Sequence, residues 1–283
     1  MLKRISSSYD YNKSPQGVSS FFELKLDKRT KMFLKAIHNF REPKILEIGM
    51  GKGRFLKKIA EFRPDAKLFG IDISKTAINS AKNDPLIKGN FLVGNAENLP
   101  FSKNLFDVVV IMDVLEHVNN PKKVISEVNR VLKPGGIFHF YVPCENQPFT
   151  LDWCLRRLGI MKNFTKISFG HIQYFSHDDI RKMTSRYTDP DFTYSDHLLS
   201  QLIYFLTLYI PKSLLLKLGE GKQLLYRDSS INKAKGNKFK LARIVWGALI
   251  ALPASLLSKL EAFLFRRLTF TAKGLHFTGR KIK

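Results

Sequence analysis

The chain has 283 residues, 44% of them hydrophobic, enough for one large α/β core with material left over, and it contains no internal repeat or low-complexity tract. Two cysteines, Cys144 and Cys154, exclude a disulfide framework, and without a CxxC pair or clustered His/Cys spacing no metal is expected. Lysine and arginine number 47 against 24 acids, a formal net charge of +23 that suits a nucleic acid or an anionic membrane surface better than a neutral partner.

That charge is uneven. Residues 1–150 carry 24 basic and 15 acidic side chains, while residues 197–283 carry 16 and 3. With no charged-then-apolar leader at the N-terminus, the expected setting is reducing and cytoplasmic.

In chain order, an N-terminal stretch with Tyr9, Tyr11, Phe21 and Phe22 is expected to form a helical lid over residues 1–43. Residues 44–48 then make a short apolar strand that runs into Gly49, Gly51 and Gly53. Glycines let a backbone approach a ligand and take positive φ. A dinucleotide fingerprint needs a further glycine where Arg54 stands, and the Lys-Ser/Thr of a Walker loop is also missing. A helix is expected to begin near Lys52. The next apolar run, Lys67 to Asp72, ends in an acid 25 residues after Glu47. Phe91 to Phe101 follows, and then a buried strand from Phe106, read from its uninterrupted β-branched run, which exits into Asp113-Val-Leu-Glu-His117. Val131 to Val142 reads as a helix end, a Pro-Gly-Gly turn and a fifth strand. Pro143 to Ser176 is expected to emerge on the same sheet edge, before a helix from Asp178 to Tyr187. Phe192 to Leu198 looks like strand six and Gly274 to Lys281 like a closing strand seven.

Between those two strands lie two apolar runs, residues 198–210 and 244–257, of 13 and 14 residues. Both fall short of the ~20 residues that span a bilayer. Basic residues including Lys212, Lys217, Arg243, Arg266 and Arg267 flank them, with Tyr204, Tyr209 and Trp246 at hand. This is the composition of an interfacial anchor. A helical subdomain packing its own core, or a dimer interface, is the alternative.

The ordered segments Glu-x-Gly-x-Gly-x-Gly, Gly70-Ile-Asp72, Gly94-Asn-Ala-Glu-Asn-Leu-Pro-Phe101, Asp113-Val-Leu-Glu-His117 and Leu132-Lys-Pro-Gly-Gly136 resemble the class I methyltransferases dependent on S-adenosylmethionine (SAM). Within that family it resembles the type 11 kind, similar to ubiquinone/menaquinone-biosynthesis enzymes. The resemblance implies an α/β fold: a Rossmann-like seven-stranded sheet with helices on both faces, here with a helical basic and apolar insertion between strands six and seven. It implies SAM as cofactor, with Glu47 for its ammonium, Gly49, Gly51 and Gly53 along its backbone cradle, and Asp72 on both ribose hydroxyls. Ile73 would lie on the adenine, Asn95 and Ala96 beside the adenine amino group, and Met112 and Asp113 at the end of strand four. Asn95 departs from the family's usual Asp, though an amide oxygen can still accept a hydrogen bond. The expected organisation is a lid over 1–43, a SAM-binding core over 44–143, a substrate lid and the rest of the core over 144–198, a membrane-association insertion over 199–273 and a closing strand over 274–283.

Methyl transfer requires mainly alignment and exclusion of water. A base is needed only for an acceptor hydroxyl of high pKa, and His171, on the expected substrate lid, is the first candidate, with His117 second. Cys144 follows strand five, but the Pro-Cys that a cysteine-dependent RNA methyltransferase places after strand four is replaced by Met112-Asp113-Val114, so a buried, inert thiol is expected. The expected activity is methylation of an amphiphilic or lipid-linked small molecule (a quinone precursor, lipid headgroup or lipid-linked sugar) by a peripheral or monotopic protein on an anionic cytoplasmic membrane face. RNA methylation by the basic face, or a catalytically inactive adaptor, are the alternatives.

Overall fold

The computed structural model describes residues 28–159, 170–205 and 269–282, with a few positions between 257 and 265. Its centre is a seven-stranded sheet in the order β3-β2-β1-β4-β5-β7-β6. The strands are β1 (Lys44–Ile48), β2 (Lys67–Asp72), β3 (Asn90–Val93), β4 (Phe106–Met112), β5 (Leu132–Pro143), β6 (Tyr187–Ser195) and β7 (Gly274–Lys281). The first five are mutually parallel, and β7 runs antiparallel to both of its neighbours. This is the Rossmann-like class I methyltransferase sheet that the motifs imply.

The near-continuous apolar reading of β1 and β4 follows from burial on both faces. On one face Leu46, Ile48, Val109, Ile111, Phe138 and Phe140 pack with Val124 and Val128 of α4 (Pro121–Val131). On the other, Ile45, Val108, Val110 and Ile137 meet Phe33 of α1 (Lys28–Ala36), Leu56 and Ile59 of α2 (Arg54–Phe62) and Ile78 of α3 (Lys75–Lys82). The helix starts carry their own signals. Ser74 Oγ accepts the Ala77 amide to cap α3, and Asn120 accepts the Lys123 amide with Pro121 at the first turn of α4.

Three expectations need correction. The helix expected over 178–187 runs from His177 to Thr184, here α6, after α5 (Leu151–Arg157). Tyr187 already belongs to β6, because residues 187–191 pair with the far end of β7; the register shifts between Thr188 and Asp191, around Pro190, which has no N–H to donate. At the other end β6 stops at Ser195, and Leu198 opens α7 (Leu198–Tyr204). The Pro-Gly-Gly turn lies within the bounds of β5, with Gly135 at φ 74° and a register break against β4 between Phe106 and Val108.

The closing strand has the expected bounds. Residues 1–27, 160–169 and 206–256 are outside the described residues, and with them most of the expected N-terminal lid and membrane insertion. The visible start of that insertion is inverted relative to an ordinary surface helix. Gln201 of α7 is buried, its Oε1 accepting the Leu151 amide at 2.7 Å and its Nε2 donating to the Asp196 and Thr271 carbonyls at 2.6 and 2.8 Å. Buried Glu261 accepts the Leu199 and Ser200 amides. Leu198, Leu199 and Leu202 are exposed instead.

Candidate active site

The carboxyl ends of β1 and β2 form a cradle of backbone. Gly49, Gly51 and Gly53 sit at φ 73°, 53° and 79°, values that other residues rarely adopt. A Cβ at Gly49 would collide with the Val114 side chain, and one at Gly53 would stand 2.6 Å from Ile87 Cδ1. The Gly49 amide donates to the Ile71 carbonyl at 2.8 Å, which fastens the turn to β2. Asp72 joins the two sides: its Oδ2 accepts the Gly51 amide and its Oδ1 the Ser74 amide, each at 2.8 Å. Each oxygen keeps a second lone pair for a ligand hydroxyl.

Glu47 points into the interior of this turn. It is 3% exposed, the Leu56 amide hydrogen-bonds its carboxylate, and its Oε2 has no hydrogen-bond partner among the described residues. Burial pushes its carboxyl well above the usual range, with nearby Asp72 adding to the shift. An orphaned buried carboxylate oxygen is costly unless a ligand cation satisfies it. Ile73, at the tip of β2, is 64% exposed, an apolar side chain with an open face. Asn95 is exposed and its Oδ1 accepts the Glu97 amide at 2.8 Å in a local turn, while Ala96 packs against the core.

At the end of β4, Met112 is half-buried and Asp113 adopts φ 54°. Asp113 accepts a hydrogen bond from Arg29 of α1 at 2.9 Å. The Arg29 guanidinium also stacks 3.6 Å above the Tyr141 ring, whose hydroxyl donates to Asp196 Oδ2 at 2.9 Å. Neither Arg29 nor Tyr141 lies in a motif, so nothing in the sequence singles them out.

The two candidate histidines, 54 positions apart, come together with ring centroids 4.9 Å apart and planes at 79°. His117 ends the short 3₁₀ turn Leu115–His117 after β4, and His171 lies on the strip from Gly170 to Phe175. Backbone bonds join these segments: the Ile172 and Gln173 amides both donate to the Glu116 carbonyl, at 2.9 and 3.1 Å. His117 Nδ1 donates to the Gly170 carbonyl at 3.3 Å, and His171 Nδ1 to Glu145 Oε1 at 3.0 Å. A carbonyl and a carboxylate only accept, so each Nδ1 carries a proton. Burial, followed by the neighbouring His171, lowers His117 to about 4.

Glu145, just after β5, is buried. Burial alone would raise its carboxyl, but His171, Lys273 and Arg156 outweigh it and hold the group at about 2. Lys273 lies 3.5 Å from Glu145 Oε1 and 2.6 Å from Asp152 Oδ2. Glu116 is 1% exposed, and burial with Asp113 nearby raises it well above the usual range. Glu145 and Lys273 have no sequence signature of their own, and Glu116, though inside the segment Asp113 to His117, has no role expected from it. Cys144 is buried, as expected, and burial pushes its thiol up. A separate cavity of about 410 Å³, lined by Asn146, Gln147, Trp153, Arg157, His177 and Arg181 among others, shares no residue with the cradle or the histidine pair.

A seven-stranded sheet of this order, with an acid-topped glycine turn at its switch point, is a Rossmann-like α/β fold. Residues 46–140 match the family model described as a methyltransferase domain. The chain is 42% identical over 91 residues to an uncharacterised protein of Methanocaldococcus jannaschii, covering 32% of this chain and 40% of that one. It is 28% identical to the demethylmenaquinone methyltransferase of Chlorobaculum tepidum over 61% of this chain and 66% of that one. It thus spans less than two thirds of the length of these relatives. Among solved structures, phosphoethanolamine N-methyltransferase 2 of Haemonchus contortus, in complex with S-adenosyl-L-methionine, shares the fold at TM-score 0.51 and 18% identity, over 89% of this chain and 52% of that one.

Proposed function

We propose that the protein methylates an amphiphilic or lipid-linked small molecule at a membrane surface, using SAM. The orphaned Glu47 oxygen within a glycine cradle carries the cofactor half of this reading. Glu47 would receive the cofactor's ammonium; Gly49, Gly51 and Gly53 would line its amino-acid end, and the uncapped amides opening α2 would face its carboxylate. Asp72 would take the ribose hydroxyls, Ile73, Asn95 and Ala96 the adenine, and Met112 and Asp113 the far wall. Bound there, SAM supplies a methyl group activated by a sulfonium. The chain's own contribution is to orient the acceptor, to exclude water and to hold the acceptor's proton at the Nε2 side of His171 or His117.

The acceptor half rests on the inverted polarity of α7 and its surroundings. Leu198, Leu199, Leu202, Leu260, Leu264, Phe265 and Phe270 are all exposed, whereas Gln201 and Glu261 face inward. An apolar surface of this kind beside a lysine-rich segment suits contact with anionic lipid. No helix among the described residues is long and apolar enough to cross a membrane. The relative from C. tepidum, named for a menaquinone precursor, supports an acceptor of amphiphilic type. In domain terms, residues 1–43 and 144–198 would close over the cleft and 199–273 would hold it against the bilayer.

Calorimetry with SAM and flotation with phosphatidylglycerol vesicles test the two halves separately. SAM is expected to bind with micromolar affinity, and the protein to float with anionic vesicles but not with phosphatidylcholine alone. Absence of SAM binding would overturn the enzymatic reading. Retention of RNA in a gel shift without flotation would replace the membrane partner with a nucleic acid.

A further inference from the structure

We propose that the cavity of about 410 Å³ between α5 and the start of α6 binds a phosphate group, supplied by a lipid headgroup, on the guanidiniums of Arg157 and Arg181 and the carboxamides of Asn146 and Gln147. Its volume lies in the range of small-molecule pockets, about 300–1,000 Å³. It shares no residue with the glycine turn or the histidine pair, so it is a second site rather than part of the first. Sequence spacing conceals it, because the four donors come from three separate segments.

The lining holds donors that the protein itself does not use. Gln147 Oε1 accepts the His177 amide at 3.0 Å, which leaves Nε2 on the other branch of the carboxamide, with no partner among the described residues. The Asn146 side chain has none there either, while its backbone amide donates to the Phe175 carbonyl at 2.9 Å and fixes the loop. Buried His177 fixes the floor, its Nε2 donating to the Ala272 carbonyl at 3.0 Å. The Arg157 guanidinium lies 5.2 Å over the Trp153 ring and makes no ion pair among the described residues. Stacking of this kind leaves the N–H fork at the guanidinium edge available to an oxyanion. Arg181 donates to the Tyr194 hydroxyl at 3.0 Å and to Asp178 at 3.2 Å. Asp178 is the only acid in the lining and its side chain is 76% exposed, so the pair is weak and the two guanidiniums leave the cavity positive.

Two guanidiniums from different helices suit the tetrahedral oxygens of a phosphate better than the two coplanar oxygens of a carboxylate. The surroundings are apolar. Phe149 and Phe270, each next in sequence to a lining residue, are exposed, and Phe149 stands 5.9 Å from Trp153. α5 is tied to α7 by the Leu151 amide on Gln201 Oε1, and α7 exposes Leu198, Leu199 and Leu202. A positive cavity flanked by exposed hydrocarbon matches an amphiphile with phosphate at its polar end. Lipid as the source of that phosphate rests on the membrane reading above; the phosphate site itself does not. Asn146 and Gln147 follow directly on Glu145, the partner of His171, so an occupied site would hold the acceptor half of the cleft against the lipid surface.

The test titrates the full chain by calorimetry with dihexanoyl phosphatidic acid below its micelle concentration, with dihexanoylglycerol, which lacks the phosphate, and with inorganic phosphate. One phosphatidic acid per chain is expected, bound at least about tenfold more tightly than inorganic phosphate because the apolar flank adds buried area, with no binding of dihexanoylglycerol. Arg157→Gln should weaken the lipid about tenfold, the loss of one charge-assisted contact. Arg157 is exposed and has no ion pair among the described residues, so its variant keeps the fold. Lys182→Gln removes the same charge one position beyond Arg181 but outside the lining, and should change affinity less than about twofold. No binding of either phosphate at millimolar concentration, or equal weakening by the two variants, would overturn the site. Inorganic phosphate bound as tightly as the lipid would overturn the lipid source. Flotation with phosphatidylglycerol vesicles is a separate measurement: a protein that floats without binding the short-chain lipid loses this site and keeps the membrane reading, and the reverse result loses the membrane reading alone.

Discussion

The ends of β1 and β2 and the ends of β4 and β5 lie on the same sheet edge, yet they are made of different material. The first is a backbone device: three left-handed glycines, two amides on Asp72 and one buried carboxylate. The second is a side-chain device in which Glu145, His171, Lys273, Arg29 and Tyr141 arrive from segments remote from one another. A backbone cradle tolerates little change but binds a constant ligand. A cluster of side chains can be retuned residue by residue, which would suit the acceptor half of the proposed cleft.

The largest expected effect falls on the side-chain half. His171→Ala should lower turnover by about 10²–10⁴-fold while SAM affinity changes less than about twofold, if the ring acts as the base. An equal loss in both quantities would abolish the division between the halves. On the backbone half, Gly49→Ala forces a side chain into a positive-φ position against Val114. SAM affinity should drop roughly 30-fold, equivalent to about 2 kcal/mol of strain and displacement. Glu47→Gln sharpens the same point: it should weaken SAM about tenfold or more yet leave the free protein as stable or more so, because a buried charge is removed. A less stable free variant would argue that Glu47 is structural.

Acid sensitivity should separate the halves as well. Six of the seven histidines follow β4, and buried His139 and His177 are lowered by burial from 6.5 to about 3 and about 4. Their contribution to stability is fully present above the unfolded value and is lost as pH falls through 6.5 toward the folded values, because the unfolded chain binds the proton first. Between pH 8 and pH 5 each should cost about 2 kcal/mol. Urea midpoints measure the total, and hydrogen exchange should show β5 and β7 losing protection before β1 and β2. A profile flat from pH 8 to pH 5 would contradict both burial assignments.

The smallest effect belongs to Arg29→Met. The Arg29–Asp113 pair is partly exposed, so stability should change by less than about 1 kcal/mol. The informative readout is SAM dissociation, which should quicken if α1 closes the cleft and stay constant if Arg29 only decorates it.

Lys44 to Gly53, Lys67 to Asp72 and Phe106 to Asp113 were legible as strands and ligand turns because their signals are local. A glycine at positive φ, an acid at a strand tip and a β-branched run each report on a few neighbouring residues. The sheet and the glycine turn follow from them, and the bounds of β7 coincide with expectation. The start of β6 was not legible, because Tyr187 to Asp191 is strand only through pairing with the last residues of β7. For the same reason α7 reads as an apolar run in sequence, and only the burial of Gln201 against residues 151 and 271 shows which way it faces. What the sequence determined alone was the fold class and the half of the site built from consecutive backbone. Tertiary structure alone decided that Glu116, His117, Glu145 and His171 share one buried cluster, since burial and opposed charges there come from segments that meet only when the sheet is complete.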